Sequence, residues 1–246
     1  MISYLLATKH DIFDSWDTIQ SILSLPEHDY EIVICCPKDK IIPPQYIYRH
    51  LNFKWVVDDV CTGSAHAFNQ AYFNSYGNYI ATIIDDIILP NNFLDILDFM
   101  KSDFMQKKKY KISNIMWDCG PGLYNYGHDD VPDGVNKWPI NEHHPVDVNK
   151  CPYSVIPLPF FERSTIENKL DGHLFHPAFK NHFIDHWLGF YVSKNEEFEP
   201  YKWRCPSIKY TMSSNRKPTE IKDDTYDRNL LKILTQSFIK GITNYV

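Results

Sequence analysis

The sequence predicts an α/β fold, a mostly parallel sheet flanked by helices with a loop-rich extension behind it. Two observations in the first 105 residues carry that expectation. Short apolar runs, such as ISYLLAT at 2–8 and YEIVICC at 30–36, recur with amphipathic segments between them, which is the order that βαβ units need. The runs are also close to continuous rather than alternating with polar residues, as befits strands covered on both faces.

The elements follow in chain order. ISYLLAT is the first strand, and SWDTIQSILSL at 15–25 places Trp16, Ile19, Ile22 and Leu23 on one helical face behind Ser15 or Asp14 as a cap. YEIVICC is the second strand, ended by Pro37, and IPPQYIYRHL starts a short helix after Pro43 and Pro44. FKWVVDD at 53–59 is a third strand, and SAHAFNQAYFNS at 64–75 a helix opened after Gly63. NYIATIIDD at 78–86 is a fourth strand, followed at 90–104 by a helix with Phe93, Leu94, Ile96, Leu97 and Met100 as its apolar stripe. The second half is less regular. Residues 116–152 are rich in Gly, Pro, Asn, Asp and aromatics and suit a long folded loop region; Trp117, Tyr124, Tyr126 and Trp138 there fit stacking on a ligand or core packing equally. An irregular polar stretch from Arg204 then leads to a helix whose Leu230, Leu231, Ile233, Leu234 and Phe238 form a face for docking on the core.

Composition excludes several classes. With 246 residues and 43% hydrophobic content the chain can bury a large core. A net charge of −6, with KKKYK at 107–111 as the notable basic run, speaks against a nucleic-acid polymer as partner. The six cysteines (Cys35, Cys36, Cys61, Cys119, Cys151 and Cys205) form no CxxC, which fits reduced thiols in a cytoplasm. No run approaches the roughly 18 apolar residues of a membrane span. The expected location is therefore cytoplasmic, with peripheral membrane association open.

Within GNYIATIIDDIILP, Asp85 and Asp86 interrupt an apolar run where the fourth strand ends. In an open parallel sheet, ligands bind outside the carboxyl ends of the strands. Paired carboxylates there are hard oxygen ligands suited to Mg²⁺ or Mn²⁺ together with substrate phosphates. A solvated turn before Pro90 is the plainer alternative.

The neighbouring residues extend the pattern. A Gly-containing loop, a helix carrying an Asn, and G-x-Y-I leading a strand into aspartates followed by Pro occur in order at Gly63, Asn69, Gly77, Tyr79, Ile80, Asp85, Asp86 and Pro90. This segment resembles the nucleotide-sugar-binding half of glycosyltransferase family 2 and its relatives of the GT-A fold, and the likeness extends over residues 1–105. The resemblance implies a UDP- or GDP-linked sugar donor and a divalent cation, Mn²⁺ or Mg²⁺, held by Asp86 and Asp85. It implies donor contacts from Thr8, Lys9, Asp58, Gly63, Asn69 and Asp85, although Lys9 equally suits an exposed loop and Asp58 a cap of the loop after it. The family's usual Asp-x-Asp is altered, because Ile83 and Ile84 stand two residues before Asp85 and Asp86.

A second segment, 157–195, resembles the acceptor side of the same enzymes. Asp185 with Leu188 and Gly189 falls at the family's acidic residue followed by x-x-L-G, which implies that Asp185 is the general base for an acceptor hydroxyl. The alternative is a surface aspartate paired with Lys180 or His182. Arg216, beside Lys217 in a polar loop, suits closure over a diphosphate, with a plain surface role as the alternative. The resemblance thus implies one GT-A-type domain, with 1–105 binding the nucleotide sugar and 106–246 on the acceptor side, that transfers a sugar with inversion to a glycan or lipid-linked hydroxyl. Two rival readings remain. One is a metal-dependent hydrolase built on His173, His176, His182 and His186, although HFIDH lacks the Glu of the zinc-protease motif. The other is a GT-A-like protein that binds nucleotide or glycan without turnover.

Overall fold

Residue alternation along the first strand sets up the layers. In β1 (Ile2–Ala7), Leu5 packs on one side of the sheet while Ile2, Tyr4 and Leu6 pack on the other, the period of two that a strand imposes. The structure, a computed structural model, describes residues 1–9, 12–40, 52–85, 87–105, 110–118, 137–139, 158–181, 183–210, 225–242 and 245–246. After β1 come α1 (Trp16–Leu23), β2 (Tyr30–Cys36), β3 (Phe53–Val57), α2 (Ser64–Phe73), β4 (Tyr79–Ile83), β5 (Ile87–Ile88) and α3 (Phe93–Met105). The second half adds β6 (Tyr110–Asp118), β7 (Lys137–Pro139), β8 (Pro159–Glu162), α4 (Arg163–Lys169), α5 (Ile184–Lys194), β9 (Phe198–Tyr210) and α6 (Thr225–Ile239).

The sheet runs β3-β2-β1-β4-β8-β6-β9-β5, with β7 paired to β9. Strands β3, β2, β1 and β4 are mutually parallel, registered by Ile2 against both Tyr30 and Tyr79 and by Ile32 against Phe53. Beyond β4 the sheet is mixed: β8 is antiparallel to β4 and β6, whereas β6 and β9 run parallel. Two cores cover the two faces. One joins α2, α4 and α5 through Ala65, Phe68, Tyr72, Ile166, Trp187 and Leu188, with α6 packed against it; the other joins α1 and α3 through Ile19, Ile22, Phe93, Leu97 and Met100. Burial of each such large side chain contributes about 1.5–3 kcal/mol before entropy is counted.

Several expectations meet a different outcome. β4 stops at Ile83, so Asp85 lies in a turn rather than in the strand, and Ile87–Ile88 form a separate strand against Tyr210 and Lys209. Residues 204–210, the start of the stretch read as irregular, belong to β9, where β6 and β5 supply backbone partners, and the rest of that stretch lies outside the described residues. Ser15 precedes α1 without a side-chain capping bond; its hydroxyl donates instead to Thr8 Oγ1 at 3.4 Å. The helix expected after Pro43 and Pro44 lies outside the described residues, as does most of the loop-rich region 116–152.

Gly77 belongs to the far end of the sheet from the cleft described below. It precedes β4, and a Cβ there would come within 2.4 Å of Ser3 Oγ. Its amide donates to Glu31 Oε1 at 3.0 Å and its carbonyl accepts Arg163 Nε at 2.8 Å, while Ser3 Oγ also donates to Glu31 Oε1 at 2.6 Å. Glu31 and Ser3 are thus buried with partners, as burial of polar groups requires.

Candidate functional site

Three strand ends converge on one cleft. After β1 stand Thr8 and Lys9, after β3 stands Asp58, and after β4 stands Asp85; with Ala7, Pro37, Cys61, Gly63, Ser64, Ala67 and Asn181 they line a cavity of about 380 Å³. A second cavity of about 440 Å³ adjoins it, lined by Phe68, Ile84, Phe175, Phe183, Ile184, Asp185 and His186, and the two share Ala7, Ser64, Asp85 and Asn181. Both volumes lie in the range of small-molecule sites. Asp85 therefore stands in the wall between two chambers, one lined by strand-end residues and one rich in phenylalanine.

Hydrogen bonds hold several polar residues of the first chamber in place. Thr8, whose amide donates to Cys35 O at 3.1 Å, donates its hydroxyl to Asp85 Oδ2 at 2.7 Å. Asp58, 6% exposed, accepts the Cys61 amide on Oδ1 at 2.8 Å and has His66 Nε2 at 3.7 Å from the same oxygen. It thus caps the following turn, one of the two roles weighed from the sequence, and it also lines the cavity. Burial and the Asp58 carboxylate push the Cys35 thiol up to about 12 and the Cys36 thiol up to about 11, so neither is a thiolate nucleophile at neutral pH.

The loop before α2 is fixed by close approach. Gly63 has φ 135°, and a Cβ there would lie 2.1 Å from the Lys180 carbonyl oxygen. That carbonyl accepts the Ala65 amide at 3.3 Å, while Ser64 donates its amide to Asn181 Oδ1 at 3.3 Å and its hydroxyl to Asn181 O at 3.1 Å. Two of the amides that a helix N-terminus leaves open are therefore taken by the chain itself.

On the second chamber, Asp185 lies in the first turn of α5 and accepts the His186 amide at 3.0 Å on Oδ1. Phe183, at φ 61°, occupies the left-handed region just before that turn, and its ring meets the His186 ring edge-on at 5.1 Å. The alternative pairing of Asp185 with Lys180 finds no support in the Lys180 ammonium, which sits 4.6 Å from the Tyr226 ring centroid.

Other residues named from the sequence fall elsewhere. Asn69 is 3% exposed and spans the backbone of Phe175, donating to its carbonyl at 2.7 Å and accepting its amide at 3.0 Å. It tethers a wall of the second chamber rather than lining either one. Asp86, Arg216 and His182 lie outside the described residues. Among the described residues, His173, His176 and His186 have different surroundings. His176 is buried among Phe179, Trp187 and Tyr245, and burial pushes it down to about 4; His173 meets Phe73 edge-on at 5.6 Å, and His186 lines the second chamber. Among the described residues no group of three His, Cys, Asp or Glu side chains is placed to hold a metal ion. Likewise no helix among them is long and apolar enough to cross a membrane.

Asn181, Ser64, Pro37 and Cys61 line the chambers without having been singled out. Ser64 carried a signal, since it follows Gly63 at a helix start; Asn181 carried none, because its place depends on contacts across 117 residues.

For a divalent cation, the donor set fits in part. Asp85 presents a hard carboxylate at the shared wall, and two carboxylates beside Lys9 would repel a diphosphate unless a cation came with it.

No family model matches the chain, and no curated protein does. Solved structures are similar at the level of fold. S. aureus TarS 1–349 in complex with UDP aligns with TM-score 0.56 at 13% identity over 82% of this chain and 60% of that one. The mannosyltransferase PcManGT from Pyrobaculum calidifontis, in complex with GDP-Man and Mn²⁺, aligns with TM-score 0.55 at 14% identity over 98% of this chain and 64% of that one. Glucosyl-3-phosphoglycerate synthase from Mycobacterium tuberculosis, with Mn²⁺, UDP and glucosyl-3-phosphoglycerate, aligns with TM-score 0.57 at 12% identity over 99% of this chain and 81% of that one. The chain thus spans about 60% of the length of the TarS 1–349 chain it matches. It has the GT-A fold.

Proposed function

We propose that the chain is a glycosyltransferase that moves a sugar from a UDP- or GDP-linked donor to a hydroxyl acceptor, with inversion. The observation that carries the reading is the pair of chambers meeting at Asp85, with strand-end polar groups in one and Asp185 in the other. A displacement needs this layout, because donor and acceptor must meet across one reacting carbon. Support also comes from the neighbours of the same fold, whose structures hold UDP, or GDP-Man with Mn²⁺.

In this reading Lys9, Asp58 and the Gly63–Ser64 turn bind the nucleotide, and Thr8 holds Asp85 in orientation. Asp85, with Asp86, would hold Mn²⁺ or Mg²⁺, which supplies charge neutralisation of the diphosphate leaving group. Asp185 takes the proton from the acceptor hydroxyl as its oxygen attacks the anomeric carbon. The phenylalanines beside it present apolar faces suited to the C–H side of a sugar ring. Arg216 would meet the departing diphosphate. Residues 1–105 and 106–246 then act as the donor and acceptor halves of one domain, and the acceptor is a glycan or a lipid-linked sugar.

A thermal-shift series with UDP, GDP, UDP-GlcNAc and GDP-mannose, each with and without Mn²⁺, tests this. A ligand at 100 times its Kd stabilises the native state by about 2.7 kcal/mol, a shift of several degrees. The expected outcome is a shift that requires nucleotide and is enlarged by Mn²⁺, with the metal-dependent part lost in Asp85→Ala. No shift with any nucleotide would refute the reading.

A further inference from the structure

The first turn of α6 grips the segment that leads to Asp185, residue by residue. Asp227, 3% exposed, accepts the Lys180 amide on Oδ1 and the Asn181 amide on Oδ2, each at 2.9 Å. Tyr226 before it receives the Lys180 ammonium over its ring, and Arg228 after it places its guanidinium 5.3 Å from the Phe183 ring centroid. Three consecutive side chains thus engage three of the four residues 180–183.

The gripped segment has a demanding geometry. Its Lys180 carbonyl fills the space above Gly63 and accepts the Ala65 amide, and its Asn181 side chain belongs to the wall common to both chambers. Phe183 is held left-handed, a conformation that strains a non-glycine residue, immediately before the turn that carries Asp185. Such strain persists where the surroundings over-determine the backbone. A buried carboxylate that accepts two adjacent amides is a strong, directional restraint, and a guanidinium over an aromatic ring adds a second one.

We propose that Asp227 and Arg228 are positioning residues for transfer: they clamp Lys180, Asn181 and Phe183, so that Asn181 completes the shared wall and Asp185 is aimed at the acceptor. The inference rests on the transferase reading. It assigns to α6 a part in the site in addition to its packing on the core.

The test uses the full chain and reads both the clamp and turnover. Hydrogen exchange at the Lys180 and Asn181 amides reports the clamp directly. In Asp227→Asn one acceptor oxygen becomes an NH₂ facing an amide donor, and exchange at one or both positions should rise at least tenfold. Release of UDP or GDP from UDP-GlcNAc or GDP-mannose, with water or an added sugar hydroxyl taking the glycosyl group, reports turnover. Arg228→Gln should lower kcat at least fivefold while the donor KM stays within twofold, and Arg228→Lys, which keeps a cation over the ring, should recover most of the loss. A general loss of packing would not produce that split and rescue. Unchanged exchange in Asp227→Asn, or an unchanged kcat in Arg228→Gln with an active wild type, overturns the clamp and leaves the transferase reading standing. A wild-type chain that releases nucleotide from neither donor overturns the reading itself, and the positioning role with it.

Discussion

Replacing His176 by Phe should remove a defined part of the chain's acid sensitivity. His176 is 6% exposed, its ring lies edge-on to Phe179 at 5.6 Å and to Trp187 at 6.0 Å, and its Nδ1 accepts the Ala178 amide at 3.2 Å. A proton on that nitrogen would break the bond and charge a ring buried among aromatic side chains, so burial pushes the pKa from 6.5 down to about 4. As pH falls below 6.5 the unfolded chain takes up a proton that the folded chain refuses until about pH 4. The stabilisation is therefore fully present above pH 6.5 and is lost progressively toward pH 4. At about 1.36 kcal/mol per pH unit this amounts to roughly 3 kcal/mol. Urea unfolding of the wild type and His176→Phe at a series of pH values between 7.5 and 4 measures it. The difference between the two stabilities should change by roughly that amount across the window. Two parallel curves would refute the argument, and they would also reopen the histidine cluster as a site for ligands, since a His that titrates normally is accessible.

Two further outcomes concern the site. Asp185→Asn should lower kcat by about 10²–10⁴ while leaving nucleotide binding intact, the range that general-base loss produces; full activity in a steady-state assay would remove Asp185 from the mechanism. Gly63→Ala combines a positive φ with a Cβ placed 2.1 Å from the Lys180 carbonyl, whereas Gly172→Ala, at φ 73°, meets nothing within 4 Å. The first should cost about 3 kcal/mol or more in urea unfolding and blunt the nucleotide-dependent thermal shift, and the second about 1–2 kcal/mol with that shift retained. Equal losses in both would show that the approach of residue 180 is not what requires glycine at 63.

How legible the site was depended on how local its causes are. Thr8, Lys9, Asp58, Gly63 and Asp85 were legible because each follows a strand or opens a helix, and strand ends in a parallel sheet face the ligand crevice whatever the rest of the chain does. Asn69 was legible as a polar residue on a helix but not in its role, which is set by the backbone of Phe175, 106 positions away. Its amide could have faced a ligand with equal local justification.

Periodicity and punctuation in the sequence determined the strands β1 to β4, the helices α1, α2, α3 and α6, and through them the α/β class, because those signals reflect backbone geometry repeated every two or 3.6 residues. Tertiary structure alone decided that β9 is a strand, that Asp85 divides two chambers, and that Asp227 and Arg228 of the last helix hold the approach to Asp185. Each of these depends on partners brought together from distant parts of the chain, and such pairings depend on the packing of the whole core, which no local window of sequence contains.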